Sequence, residues 1–158
     1  MGTPRAVTVR MRPPKHEKIP SIKSVMTPFP WFIHIEDRLG RAAEMMAERS
    51  IRHLPVTEDV KLVGVLADRD LQLVMGSAAS PEQRASLTVR DACVVDSYVV
   101  ETSEPLDRVL LTMASRHIDS ALVVKNGKLA GIFTVTDACR CFGEFLESLF
   151  PEIGDDIA

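Results

Sequence analysis

The sequence predicts an α/β fold in which one βαββα unit is used twice. Three observations lead there. Residues 22–71 reappear as residues 89–138 at a constant offset of 67 positions, without a gap. Within each copy, short apolar runs alternate with segments of helical periodicity. Turn and cap residues fall between those segments at matching places.

The register rests on eleven identical positions of 50. They pair Leu39 with Leu106, Arg41 with Arg108, Met46 with Met113, Ala47 with Ala114, Arg49 with Arg116 and Ile51 with Ile118. The remaining pairs are Val56 with Val123, Lys61 with Lys128, Leu62 with Leu129, Gly64 with Gly131 and Asp70 with Asp137. Many other positions exchange one apolar residue for another, as Val65 for Ile132 and Leu66 for Phe133.

Each copy opens with a short apolar strand, Trp31-Phe32-Ile33 or Tyr98-Val99-Val100. A helix then starts at Asp37 or Ser103, with Pro105 tolerated in the first turn. Its apolar face is Leu39, Ala42, Ala43 and Met46 in copy one, and Leu106, Val109, Leu110 and Met113 in copy two. A buried strand follows, Leu54-Pro55-Val56 or Ala121-Leu122-Val123-Val124. Glu58-Asp59 or Asn126-Gly127 then turns the chain, and Asn-Gly is a strong hairpin signal. The last strand ends at Leu66 or Phe133, where a second helix begins.

These features divide the chain into a flexible basic arm (1–20), repeat one (21–75), a linker (76–87), repeat two (88–142) and a helix end with an acidic tail (143–158). Pro4, Pro13, Pro14 and Pro20 oppose regular structure in the arm. Ser80 before Pro81 predicts a short linker helix over 81–85. The final helix is expected over 136–150, stopping before Pro151. Its Phe142, Phe145, Leu146, Leu149 and Phe150 suit either internal packing or self-association.

The bulk numbers fit a globular chain. The 158 residues are 46% hydrophobic and 26% charged, with a net charge of −3. No global field therefore draws the protein to nucleic acid or an anionic membrane. The basic arm has too few aromatic residues for base stacking, which argues against nucleic acid as a partner. Cys93, Cys139 and Cys141 are odd in number and form no Cys-x-x-Cys pair, which argues against a disulfide framework or a metal site. The N-terminus lacks an apolar targeting core and no stretch approaches membrane-spanning length. The expectation is a cytoplasmic chain with no membrane contact. His16, His34 and His117 lack metal-ligand spacing. Nucleophile motifs and phosphate-binding glycine loops are absent, so the chain is expected not to be an enzyme.

The chemistry concentrates at one strand-to-helix junction, Gly131-Ile132-Phe133-Thr134-Val135-Thr136-Asp137. A helix N-terminus there presents free N–H groups to a phosphate. Asp137 offers carboxylate oxygens to the two hydroxyls of a ribose. Thr134-x-x-Asp137 also fits a helix capping box, which needs no ligand. Asp70 in copy one carries the same two readings.

The ordered motifs resemble a tandem pair of CBS (cystathionine β-synthase) domains, a Bateman module. The matching segments in copy one are Ser24–Pro28, Ile51–Val56 and Gly64–Leu71; those in copy two are Val89–Ala92, Ile118–Val123 and Gly131–Asp137. The resemblance covers about residues 20–142. It implies two βαββα CBS repeats packed as a pseudo-twofold pair, with two clefts between them. It also implies a regulatory module that senses AMP, ADP, ATP or S-adenosylmethionine as a ligand, with no cofactor. A homodimer and a separate effector protein are the implied partners.

Carried over residue by residue, the family pattern asks for a hydroxyl and an Asp after the glycine. Copy two supplies Thr134 and Asp137; copy one has Asp70 but Ala67 in place of the hydroxyl. Ile118, Asp119, Ser120 and Ala121 are expected to line the base. Arg52, His53 and Arg69 of copy one have Asp119, Ser120 and Thr136 as their counterparts in copy two; the resemblance implies phosphates that point to the centre of the pair, so copy one is expected to supply cations to a nucleotide held by copy two. The competing expectation is a dimerisation scaffold whose clefts have decayed.

Overall fold

The computed structural model describes residues 18–78 and 80–150. The basic arm before Lys18 and the acidic tail from 151 lie outside the described residues. In chain order the elements are β1 (Thr27–Pro28), β2 (Ile33–His34), α1 (Leu39–Arg49), β3 (His53–Glu58), β4 (Lys61–Ala67) and α2 (Asp68–Ser77). They continue with α3 (Pro81–Ser86), β5 (Val99–Glu101), α4 (Leu106–Arg116), β6 (Ser120–Lys125), β7 (Lys128–Thr134) and α5 (Val135–Leu149). Single helical turns at Ile22–Ser24 and Val89–Asp91 lead into the two copies.

The helical faces follow the apolar spacing. Leu39, Ala42 and Met46 are buried on α1, and Val109 and Met113 on α4. The helix starts differ from expectation. Helix α1 begins at Leu39 and α4 at Leu106, and neither has a side-chain cap. A backbone carbonyl from a distant segment takes that role: Leu39 N–H donates to Leu87 O at 2.9 Å, and Leu106 N–H to Pro20 O at 2.9 Å. Asp37 instead accepts from His34 N–H at 3.2 Å and pairs with Arg41 at 3.5 Å. Ser80 does cap α3, accepting from Gln83 N–H at 3.1 Å.

Each hairpin pairs its strands antiparallel, His53 opposite Ala67 and Ser120 opposite Thr134. The opening strand of each copy joins in parallel, β2 on β3 and β5 on β6. The sheets are β2-β3-β4 and β1-β7-β6-β5. Strand β1 thus belongs to the sheet of the other copy, with Thr27 opposite Ile132. Copy two returns the exchange through a bridge between Val94 and Val65.

The cores follow the exchange. Ile22, fully buried, packs with Val100, Val109, Met113, Ala121, Val123 and Phe133 of copy two. Val89 and Ala92 pack with Leu39, Leu54, Val56 and Leu66 of copy one. Val65, Leu122 and Ile132, with Leu62 against them, form a small apolar layer where the two sheets meet. Each lead-in segment therefore completes the other copy's core, and the sequence repeats are not separate packing units. Arg90 strengthens one exchange by bonding Glu36 and, at 2.9 Å, Glu58.

The repeated glycine marks both crossings. A Cβ on Gly131 would lie 2.9 Å from Thr27 O, and one on Gly64 would lie 2.7 Å from Cys93 Sγ. Both are closer than a side chain tolerates, so only glycine lets the foreign segment lie flat on the strand.

Candidate functional site

The exchange of lead-in segments builds a cavity of about 660 Å³ from both copies. That is a usual size for a small-molecule site. Copy one supplies the Thr27–Trp31 segment and the Ser50–His53 segment. Copy two supplies Ile132, Thr134, Thr136 and Asp137 from the end of β7 and the start of α5.

Local sequence explains each wall. Pro28 and Pro30 break the ladder around β1 and hold two aromatics out of any core. Phe29, at a positive φ of 47°, is 91% exposed, and Trp31 is 53% exposed. The guanidinium of Arg49 sits 4.2 Å from the Trp31 ring centroid, a cation–π contact that steadies the indole. Ser50 ends α1 in the left-handed region at φ 53°, which turns the chain into Ile51 and Arg52.

At the opposite wall the capping box is fully formed. Asp137 Oδ2 accepts from Thr134 N–H at 2.9 Å and from the Thr134 hydroxyl at 2.8 Å. The Thr134 hydroxyl oxygen accepts from Asp137 N–H at 3.3 Å, and Val135 N–H donates to Asp119 O at 3.0 Å. Most first-turn donors of α5 are therefore engaged, and Thr136 stands exposed in the same turn on the cavity lining. Among the described residues, Asp137 Oδ1 meets only Arg140, at 3.2 Å, through an exposed guanidinium. A carboxylate has about four acceptor positions, so Oδ1 keeps capacity for a ligand hydroxyl.

The cavity's cations come from copy one. Arg52 is exposed, and no carboxylate among the described residues pairs with it. His53 is half-buried. Burial holds its imidazole below the ordinary 6.5, against the opposing pull of Asp119 and Asp70. It is therefore mostly neutral at pH 7.

Of the residues expected from sequence, Thr134, Asp137, Arg52 and His53 line this cavity. Ile118, Asp119, Ser120, Ala121, Arg69 and Asp70 do not belong to its lining. Ala121 is fully buried in the copy-two core with Ile118 packed on it. The Asp119 carbonyl serves α5, and Ser120 begins β6 beside Thr134. Ile118–Ala121, expected to line the base, thus lie outside this cavity's lining, and of their copy-one counterparts Ile51–Leu54, Ile51, Arg52 and His53 line it. Arg69 pairs with Asp70 at 3.7 Å on the symmetry-related junction, where Ala67 provides no cap. Sequence reasoning missed the Thr27–Trp31 wall and Thr136. The alternation Pro28-Phe29-Pro30-Trp31 was the available signal for that wall.

Comparison with known proteins agrees with this architecture. The CBS domain family model matches residues 22–76 and 89–144. The uncharacterized protein YlbB of Bacillus subtilis is 33% identical over 118 residues, 73% of this chain and 78% of its own length. An inosine-5'-monophosphate dehydrogenase of Thermoplasma acidophilum is 30% identical over 124 residues, 78% of this chain but 23% of that enzyme. Among solved structures, a Vibrio cholerae protein named for acetoin utilization (AcuB) superposes with a TM-score of 0.74 at 23% identity, covering 84% of this chain and 96% of its own. The CBS domain pair of MJ0100, in complex with 5'-methylthioadenosine and S-adenosyl-L-methionine, gives 0.69 at 24% identity over 81% and 99% of the two chains. CBSX2 in complex with AMP gives 0.69 at 23% identity over 80% and 98%.

Proposed function

Because the chain belongs to the CBS domain family through both halves, we propose that it is a regulatory module that binds an adenosyl nucleotide in the cavity between them. The observation that carries this reading is the composition of the cavity. Arg52 and His53 of copy one meet Thr136 and Asp137 of copy two across a space wide enough for a nucleotide. In the proposed pose the base rests on the Pro28–Trp31 wall. The ribose hydroxyls donate to Asp137, with Arg140 swinging aside at little cost because its guanidinium is exposed and solvent screens the pair. The phosphate points to Arg52, His53 and Thr136. Arginine suits that end because its planar fork donates twice to one phosphate.

Complexes of structural neighbours with AMP and with S-adenosyl-L-methionine support the ligand class. A further neighbour, the CBS domain of a bacterial CNNM/CorC magnesium transporter, was solved with ATP. The chain matches only the smaller part of the dehydrogenases, so their chemistry is not transferred. The proposed output is a change in a separate effector protein.

Trp31 supplies the test. It is the single tryptophan and stands on the cavity wall. Titration with AMP, ADP, ATP and S-adenosylmethionine should change its fluorescence to saturation for at least one ligand. A flat signal together with an unchanged melting temperature at millimolar ligand sinks the reading, since a bound ligand must stabilise the fold by mass action.

A second reading, a dimerisation scaffold, is favoured by α5. This helix has no fully buried residue, and Phe142, Phe145 and Leu149 are exposed along it, followed by exposed Phe150 at its C-cap. Sedimentation velocity should then show a dimer without nucleotide, converted to monomer by Phe142→Asp. A monomer at high concentration removes this reading.

A further inference from the structure

His53 opens β3 on the cavity wall, next to Arg52. The charged groups that face it are Asp119 from the turn before β6, Asp70 and Asp68 from α2, and Arg52 from the bend just before β3. Asp137 of α5 lines the same cavity. Burial dominates these influences and keeps the ring below its ordinary 6.5. A phosphate arriving on the cavity side adds negative charge to a half-buried imidazole, which favours its protonated form.

We infer that His53 sets the cavity's preference for a phosphorylated over an unphosphorylated adenosyl ligand by taking up a solvent proton when the phosphate binds. This rests on the nucleotide reading of the cavity and adds its regulation. The step is a proton transfer: on binding, an N–H bond forms at the imidazole as the bond to that proton in hydronium or a buffer acid breaks, its electron pair staying with the water or buffer base, and release of the ligand reverses it. Arg52 supplies the charge that is present at every pH, and His53 supplies the charge that appears on demand. The counterpart of His53 in copy two is Ser120, which has no such proton to gain. The site is therefore tuned to proton concentration on one side of the pair.

The ligand's own second phosphate ionisation, near pH 6, works in the opposite direction. It weakens the anion as pH falls, and it persists when His53 is removed. The two effects are thus separable. One linked proton changes affinity by at most about tenfold per pH unit.

The experiment titrates AMP and adenosine calorimetrically into the full chain and into His53→Gln, between about pH 8 and pH 5.5. It is repeated in two buffers of different ionisation enthalpy, which reads proton uptake in the unmutated protein directly. The expected result is an AMP-to-adenosine affinity ratio that rises several-fold on lowering the pH toward 6.5, with net proton uptake on AMP binding. In His53→Gln the rise disappears. A pH-independent ratio without proton uptake overturns the inference and leaves the nucleotide reading standing. The same slope in His53→Gln as in the unmutated chain also overturns it. If neither ligand binds, both the inference and the nucleotide reading fail.

Discussion

Replacing Gly64 with alanine should loosen the grip of copy one on the lead-in segment of copy two. The new Cβ would fall well inside contact with Val94 O, 2.7 Å from Cys93 Sγ and 3.1 Å from Val94 C. The nearest atom is backbone, so no rotamer change relieves the clash. Overpacking of this kind costs about 1–3 kcal/mol. The displaced segment also holds two backbone hydrogen bonds, Val65 N–H to Val94 O at 3.1 Å and Val94 N–H to Val65 O at 2.9 Å. Each is worth about 1 kcal/mol net. Alanine restricts the unfolded chain and returns about 0.5–1 kcal/mol. The sum is a loss of about 2–4 kcal/mol. Urea denaturation followed by circular dichroism reads it as a lower midpoint at similar slope. Gly131→Ala should cost less, because its closest neighbour is the flexible end of Met26, although Thr27 O stands at 2.9 Å. A loss below about 0.5 kcal/mol for Gly64→Ala would refute the crossing argument.

Three other outcomes follow from the same structure. Asp137→Ala should lower stability by about 1–2 kcal/mol without any ligand, since it dismantles the capping box; the shift in thermal midpoint checks it, and an unchanged midpoint would contradict the role of the box. Burial pushes the Cys93 thiol up to about 11, so at pH 8 iodoacetamide should label exposed Cys139 well before Cys93 by peptide mass spectrometry. The ring of His53 is held below 6.5 in the folded chain, so the unfolded chain binds its proton more readily. Stability from this residue is present above the unfolded value and is lost as pH falls through the folded one. Denaturation midpoints should therefore drop less on acidification in His53→Gln than in the unmutated protein.

Much of this fold was legible from the repeat. Helix faces, hairpins and the α3 cap follow from local spacing and turn chemistry, because those features depend on neighbours in sequence. The exchange of Ile22 and Val89 between cores was not legible. An internal repeat shows that two segments are equivalent, yet an Ile or Val that packs in its own copy has the same local pattern as one that packs in the other. The same ambiguity applies at the cavity wall. Ser50–His53 and His117–Ser120 are equivalent in the repeat, and only the crossing of β1 onto β7 shows which one stands opposite Asp137. The helix starts were misplaced for a related reason. Leu87 O and Pro20 O, remote in sequence, satisfy donors that a local side chain was expected to cap.

The central claim is that a nucleotide binds between copy one's Arg52 and copy two's Asp137. Calorimetric titration with AMP of the unmutated chain, Arg52→Ala and Asp137→Asn tests it most directly. Charge-assisted hydrogen bonds of about 1.5–3 kcal/mol predict a loss of roughly ten- to a hundredfold in affinity for each variant. Saturable binding to the unmutated chain, weakened by both substitutions, is the expected result. Absence of binding at millimolar AMP, or binding that either variant leaves intact, would contradict a site shared by the two copies.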